Sequence, residues 1–304
     1  MMVLAIIIPY YKLSFFEETL KSLANQTDKR FKVYIGDDAS PENPLTLLNQ
    51  FHGKFEFVYH RFEENLGANS LPKQWERCIN LSKEEEWLMI LGDDDFIDEK
   101  LVELWYSNFE SFNQKTAVIR FASKLIFEET NTISEIYSHP IWENATDSFY
   151  RKFKHLTRSS LSEYIFSRKS FLKYRFYDYP LAWNSDDRAW LDFSENKPIY
   201  TINDSVVYVR LSDINISGKQ DNNLAKSLSV ISFFKFLIKQ KLSFYKNEER
   251  EKIVRFYENE INKKRNLKIS EWLFLLFFYL KYLDFYSIKK FVKRFLKCIL
   301  KRNE

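Results

Sequence analysis

The sequence is poor in cysteine, glycine and histidine, and it has no long apolar run. Cys78 and Cys298 are its two cysteines in 304 residues, far apart and on segments expected to be helical. They make neither a disulfide framework nor a zinc site and fit a reducing compartment, so a cytoplasmic location is expected. None of the five glycines falls in Ile8–Lys12, after the first apolar run, which excludes a glycine-rich phosphate loop there. The histidines, His52, His60, His139 and His155, are scattered and read as surface or structural residues. No stretch of about 18 apolar residues exists, so no ordinary membrane span is expected. Met2–Pro9 lacks a basic stretch and a small-residue cleavage site and reads as a strand, not a leader. A net charge of only +4 does not call for a nucleic-acid partner. There is no internal repeat and no low-complexity linker.

What is present is a large apolar fraction, 45%, with 18% aromatics, mostly Phe and Tyr. That is enough for one sizeable domain with an appendage. Val3–Ile8 is β-branched and wholly apolar, as a strand buried on both faces would be. Ser14 is the expected cap of a helix to about Gln26, with Phe16, Leu20 and Leu23 at helical spacing. Phe31–Ile35 reads as a second strand, followed by a helix opened by Pro41 and running to Phe51. Phe55–Tyr59 is a third strand, and Asn69–Leu81 a helix with Trp75 and Ile79 inward. Trp87–Leu91 is a fourth strand, and Asp98 can cap the helix after it. Strand and helix alternating at this spacing predict an open, mostly parallel sheet covered on both faces. Further on, Ala117–Phe121, Lys124–Phe127 and Leu161–Ser167 read as strands, Ile133–Tyr137 as the return of a hairpin, and His139–Thr157 as irregular. A helix with Trp190, Leu191 and Phe193 follows the acidic pair at 186–187, then strands over Ile199–Arg210. From Asp221 the pattern is helical.

Ligands of such sheets bind outside the carboxyl ends of the strands. Three polar clusters are expected there: Tyr10–Lys12, Asp37–Ser40 and Asp93–Asp95. Three consecutive carboxylates at the end of a buried strand repel one another and call for a counter-charge. A divalent cation of the Mg²⁺ or Mn²⁺ kind, with oxygen ligands and positions left for phosphate, is the simplest one. The bland alternative is a solvated acidic turn that also caps a helix.

Taken together these residues resemble glycosyltransferase family 2, the nucleotide-sugar enzymes of GT-A fold, over roughly Val3–Ser217. AIIIPYYK (Ala5–Lys12) is similar to the family's first strand and its proline-containing turn. YIGDDASPEN (Tyr34–Asn43) is similar to the second strand with its nucleotide-binding aspartate, and ENLGAN (Glu64–Asn69) to the Asn-x-Gly turn. LGDDDF (Leu91–Phe96) stands at the family's metal-binding motif, and WNSDDRAW (Trp183–Trp190) at its acidic pair, whose second acid is the catalytic base. The resemblance implies an inverting transfer of a sugar from a nucleotide donor, expected to be a UDP-sugar, to a hydroxyl of a glycan or lipid-linked acceptor. It implies Asp94 and Asp95 as ligands of Mn²⁺ or Mg²⁺. It assigns nucleotide contacts to Pro9, Tyr11, Asp38, Asn65, Gly67 and Asp93, and catalysis to Asp187 supported by Asp186. A bacterial surface polysaccharide is the setting it suggests. Two departures stand out. Gly92 replaces the usual first aspartate, and Val207–Ser217 keeps Arg210 but offers Ser212 and Asp213 where many members have histidine.

The expected division is a GT-A domain over 1–220 and a helical region over 221–304. The latter ends in a basic, aromatic-rich tail in which Trp272–Leu280 is too short to span a bilayer. Such a tail suits an anionic membrane surface, giving a peripheral place on the inner face of the membrane; the plain alternative is a helical hairpin with a solvated basic face. A catalytically degenerate nucleotide-sugar or carbohydrate-binding protein is the rival reading of the whole.

Overall fold

The computed structural model describes residues 4–212 and 223–300. They fall into two compact units, Met1–Asp221 and Asn222–Glu304. The first unit is built on a mixed sheet. Strand β1 (Leu4–Tyr10) leads to helix α1 (Phe16–Ala24), β2 (Phe31–Asp37), α2 (Leu45–Asn49), β3 (Glu56–Arg61), α3 (Leu71–Ile79) and β4 (Trp87–Ile90). These strands pair in parallel in the order β3-β2-β1-β4, so the three polar clusters emerge at one edge. β1 is central because Leu4–Ile8 can be buried on both faces: Ile6 and Ile8 pack with Phe16, Leu20 and Leu23 of α1, and every residue from Leu4 to Ile8 is fully buried. On the other face, α3 lies so close over β2 that a Cβ at Gly36 would run into Cys78 Sγ.

Beyond β4 the sheet is mixed. The chain continues through β5 (Phe96–Ile97), α4 (Leu101–Ser107), α5 (Phe109–Phe112), β6 (Val118–Phe127), β7 (Thr132–Ile133) and β8 (Trp142–Asn144). Then come α6 (Ala145–Phe153), β9 (Tyr164–Ser167), α7 (Arg168–Tyr174), α8 (Ser185–Phe193) and β10 (Pro198–Leu211). β9 is antiparallel to both β4 and β6, while the long β6 and β10 run parallel with a register shift between Ile202 and Val206. β5 lies antiparallel to β10, with Phe96 stacked on Tyr208 at 4.6 Å.

Several expectations are corrected. The first helix starts at Phe16 behind Phe15, without the Ser14 cap. The helix opened by Pro41 is only Leu45–Asn49, since residues 37–44 are committed to a turn held by Asp37 and Ser40. Asp98 accepts the Lys100 N–H at 3.1 Å, ahead of a helix whose own cap is Lys100. The two strands expected in 117–127 are one. Residues 139–157 are not irregular: they contain β8 and α6, whose Ala145, Phe149 and Phe153 recur every fourth residue, a helical spacing obscured by the surrounding aromatics. α7, capped by Ser167 on the Ser170 N–H, is a further helix that the sequence pattern does not signal. Trp75 is half-buried, its ring edge-on to Phe176.

The second unit consists, among its described residues, of α9 (Asn223–Phe236), a π-turn and 3₁₀ turn, α10 (Asn247–Asn262), α11 (Ile269–Tyr282) and α12 (Phe285–Leu300). No helix among the described residues is long and apolar enough to cross a membrane.

Candidate active site

The aspartate turn after β4 joins three parts of the first unit. Asp93 Oδ2 accepts the backbone N–H groups of Tyr11 (2.7 Å) and Lys12 (2.8 Å), closing the turn that leaves β1. Asp95 is buried; its Oδ1 accepts the Arg210 N–H at 2.9 Å and its Oδ2 the Ser162 hydroxyl at 2.5 Å. Arg210 Nε also donates to the Asp94 carbonyl at 3.0 Å, and its guanidinium pairs with Glu18 and Glu128. Asp94 lies half-buried between these two anchored neighbours. Burial first, and then the charge of Asp94, push both Asp93 and Asp95 up to about 7. Gly92 has a steric reason to be glycine. A Cβ there would lie 2.8 Å from Asp94 Oδ1 and 3.1 Å from Asp95 Oδ2, so a fourth carboxylate has no space.

The chemistry of this turn fits a cation. Among the described residues no three acidic, histidine or cysteine side chains form a closed cage. A Mg²⁺ or Mn²⁺ bound together with phosphate, however, needs only one or two carboxylates. Carboxyls lifted by burial and by a neighbouring carboxylate are the kind a cation would bring back to the ionised form. Ser212 is buried at the end of β10, and Asp213 lies outside the described residues.

At the end of β2, Asp37 is consumed by structure: it accepts from the Ser40 N–H (2.8 Å), the Tyr59 hydroxyl (2.6 Å) and Arg61 (2.9 Å). Asp38 draws in the Asn65-Leu66-Gly67 turn, its two oxygens accepting the Leu66 and Gly67 N–H groups at 2.8 Å each, and it pairs with Arg77 of α3. Asn65 Oδ1 accepts the Ala68 N–H at 2.8 Å, an Asx turn that shapes the same loop. A Cβ at Gly67 would collide with the Asp38 carboxylate. Burial raises the Asp38 carboxyl against the opposing pull of the two N–H groups and Arg77. Pro9 lies opposite Gly36 in the β1–β2 pairing, and Tyr11, just past the end of β1, is 37% exposed.

Breaking the Asp38–Arg77 pair from one side should therefore be costly, since the partner stays behind as a buried charge. Arg77→Met should lower stability by about 3 kcal/mol, read as the midpoint of urea unfolding. An unchanged midpoint would mean that the 65–67 turn satisfies Asp38 without the cation.

The acidic pair opens α8. The chain reaches it through a run of left-handed backbone at Leu181 (φ 58), Ala182 (φ 53) and Asn184 (φ 67), conformations that cost energy for these residue types and recur at functional sites. Asp187 is buried; its Oδ1 meets Lys152 Nζ of α6 at 2.6 Å and its Oδ2 meets Asn184 Nδ2 at 2.7 Å. Asp186 is half-buried, and burial followed by the charge of Asp187 pushes it up to about 6. Burial works against the Lys152 ammonium, but Asp187 and then Asp186 more than offset it and hold its pKa above the ordinary lysine range. One turn further along α8, Trp190 stacks on Tyr164 at 4.1 Å. Tyr164 begins β9 just after Ser162, whose hydroxyl holds Asp95. The pair thus belongs to the sheet edge that carries the aspartate turn.

Sequence reasoning missed Lys152, Ser162 and Arg77. None has a local signal, because each acquires its role from a partner distant in sequence. His139 is buried and kept neutral, its pKa driven down to about 2 by burial and by Arg120, Arg151 and Arg158.

The family model for glycosyl transferase family 2 matches residues 5–175. The chain belongs to glycosyltransferase family 2. The match includes the Asp38, Asn65–Gly67 and Asp93–Asp95 motifs, whereas the acidic pair lies beyond it. Poly(ribitol-phosphate) beta-glucosyltransferase of Bacillus spizizenii is 30% identical over 142 residues, 43% of this chain and 22% of that protein. This family member therefore spans about a fifth of the length of that curated relative. Its fold is similar to that of S. aureus TarS 1–349 in complex with UDP-GlcNAc (TM-score 0.65, 14% identity, 91% of this chain and 79% of that one). It is also similar to a mannosyltransferase from Pyrobaculum calidifontis in complex with GDP-Man and Mn²⁺ (TM-score 0.55, 12% identity, 78% of this chain and 64% of that one).

Proposed function

We propose that this member of glycosyltransferase family 2 moves a hexose from a UDP-sugar to a hydroxyl of a surface glycan or lipid-linked acceptor, with inversion at the anomeric carbon. The observation that carries the proposal is the aspartate turn of Asp93–Asp95, bound to the exits of β1 and β10 and sharing its sheet edge with Asp186 and Asp187. Family membership supports the reaction class. The ribitol-phosphate polymer in the relative's name supports a polyol-phosphate surface polymer as acceptor, and the UDP-GlcNAc bound to TarS supports a uridine donor.

In this reading Tyr11 stacks on the uracil, and Asp38 and the turn it holds at Asn65 and Gly67 border the nucleoside together with Pro9. Asp93 keeps the exit of β1 in place beside the ribose. Asp94, with Asp95 behind it, would hold Mn²⁺ or Mg²⁺; the ion, when bound, offsets charge on the departing diphosphate. Asp187 takes the acceptor hydroxyl proton as that oxygen bonds to the anomeric carbon and the bond to the UDP oxygen breaks. Each Asp187 oxygen keeps a second lone pair beside its contact to Lys152 or Asn184. One displacement from the face opposite the leaving group inverts the centre. The GT-A unit, residues 1–220, carries this chemistry, and the helical region, 221–304, carries a peripheral contact with the inner face of the membrane.

Incubation with a panel of UDP- and GDP-sugars, Mn²⁺ and poly(ribitol phosphate) or poly(glycerol phosphate) tests this reading. One UDP-sugar should release UDP in an acceptor-dependent manner. Donor binding without release across both acceptors would instead favour a binding protein.

A further inference from the structure

α11 and α12 form an antiparallel hairpin. Trp272 packs on Phe291 (5.4 Å) and Phe295 (5.3 Å), and Tyr279 on Phe291 (4.5 Å), across a turn at Leu283 and Asp284. These contacts define the inner side of the hairpin. A neighbouring side of α11 carries Ile269, Leu273, Phe277 and Leu280, which are 52%, 60%, 56% and 62% exposed. Their spacing of four, four and three residues places them on one helical stripe. Phe285, Val292 and Leu296 form a second exposed apolar stripe on α12. With a rotation of about 100° per residue, each stripe lies roughly a quarter turn from its helix's packed residues. Because the helices are antiparallel, both quarter turns lead to the same side of the hairpin.

Charge frames this side. Lys289, Lys293 and Lys297 follow the α12 stripe along its outer edge, exposed, and Lys281 borders the α11 stripe. Arg294 points inward instead, donating to Glu258 (2.9 and 3.0 Å) and to the Tyr279 hydroxyl (2.9 Å). From Ile269 to Leu300 there are six basic and two acidic residues. One of the two acids, Glu271, is already paired with Arg265 at 2.7 Å. The exposed side is therefore apolar at its centre and cationic at its margins, with aromatic rings between.

We infer that this side of the α11–α12 hairpin lies flat in the interface of an anionic lipid bilayer, with Leu273, Phe277 and Leu280 among the acyl chains and the flanking lysines on the phosphates. A bilayer fits where other partners do not. A nucleic acid has no use for an apolar centre, and a water-filled surface would leave two large apolar stripes exposed without function. Lysine stems lie along apolar groups while their ammonium groups reach the headgroup level. The inference deepens the membrane contact of the proposed function by naming its surface and lipid charge, and it stands or falls apart from sugar transfer.

Co-sedimentation of the full chain with vesicles tests it, using phosphatidylcholine alone and phosphatidylcholine with phosphatidylglycerol. The protein should sediment with the anionic vesicles and not with the neutral ones. Lys289→Glu/Lys293→Glu/Lys297→Glu should weaken binding by at least roughly a hundredfold, about fivefold per cation removed. Phe277→Glu/Leu280→Glu should abolish it at unchanged net lysine count. All substituted side chains are exposed, so the melting temperature and the UDP-induced thermal stabilisation should match the parent. Equal sedimentation with both vesicle types would overturn the inference, as would undiminished binding by either variant. So would loss of self-association, measured by light scattering, in Phe277→Glu/Leu280→Glu without any vesicle binding by the parent, which would assign the face to a second copy. If vesicle binding holds while no nucleotide stabilises the protein, the donor reading fails and the membrane surface remains.

Discussion

Asp187→Asn should slow sugar transfer by on the order of 10²–10⁴-fold, the usual cost of losing a positioned general base. Donor affinity should change by less than about threefold. The amide keeps the size of the side chain and one oxygen for Lys152, but it cannot take a proton. Lys152 makes the experiment more discriminating. Asp187 and Lys152 are within 2.6 Å, and Asn184 fixes the other oxygen, so the carboxylate is held in one orientation. Asp186, lifted to about 6 by burial and by Asp187, adds a pH signature. Below about pH 6 it takes up a proton, the negative charge beside the Asp187–Lys152 pair is lost, and the rate should fall. Asp186→Asn removes that neighbour and should move the acid limb of the rate profile to lower pH. The sign for stability is opposite. A carboxyl whose folded pKa is raised loses stability as it ionises, so Asp186→Asn should be better tolerated at neutral than at acid pH. Calorimetric donor affinities and transfer rates across pH decide the matter. Near-parental rates for Asp187→Asn together with an inactive Asp186→Asn would exchange the roles of the two acids, and activity in both would place the base elsewhere.

Asp94→Asn should reduce UDP affinity at least tenfold in Mn²⁺ and leave little difference between Mn²⁺ and EDTA. Charge is the reason. Asp93 and Asp95 are already committed, the first to the Tyr11 and Lys12 amides, the second to Ser162 and the Arg210 amide. Burial and the charge of Asp94 already disfavour negative charge on both, so a diphosphate approaching without a cation brings further charge to a site that resists it. Neutralising Asp94 removes the carboxylate between them and relieves its neighbours. Hence nucleotide binding in EDTA should improve slightly in the variant even as binding in Mn²⁺ weakens. Titration calorimetry with UDP in both buffers reads this crossing. Equal UDP affinity of the parent protein with and without divalent ions would refute the metal role.

Much of the first unit is legible in the order of its residues. Val3–Ile8 is apolar at every position, as a strand covered on both faces would be, and Leu4–Ile8 forms the fully buried centre of the sheet. Parallel strands joined by helices must bring their carboxyl ends to one edge, so the order of the residues alone puts the clusters after Ile8, Ile35 and Leu91 together. The failures have equally local causes. Ser14 and Asp98 are good caps by type, but the chain turned so that neither held the first turn of a helix. In 139–157 the aromatics were dense enough to blur the period of α6.

The sequence by itself determined which stretches would be strands or helices, which edge of the sheet would collect acid, and which family's motifs it carries, because period and burial are properties of neighbouring residues. Tertiary structure alone decided the partners. β9 entered antiparallel between β4 and β6, and only that path carries Ser162 to Asp95, 67 positions away. Only the return of β10 brings the Arg210 amide to Asp95 across 115 positions, and only the packing of α6 beside α8 sets Lys152 on Asp187 across 35. A charged side chain carries no record of its eventual counter-charge in the residues next to it. The contact exists only once the apolar surfaces have closed and fixed the route between them.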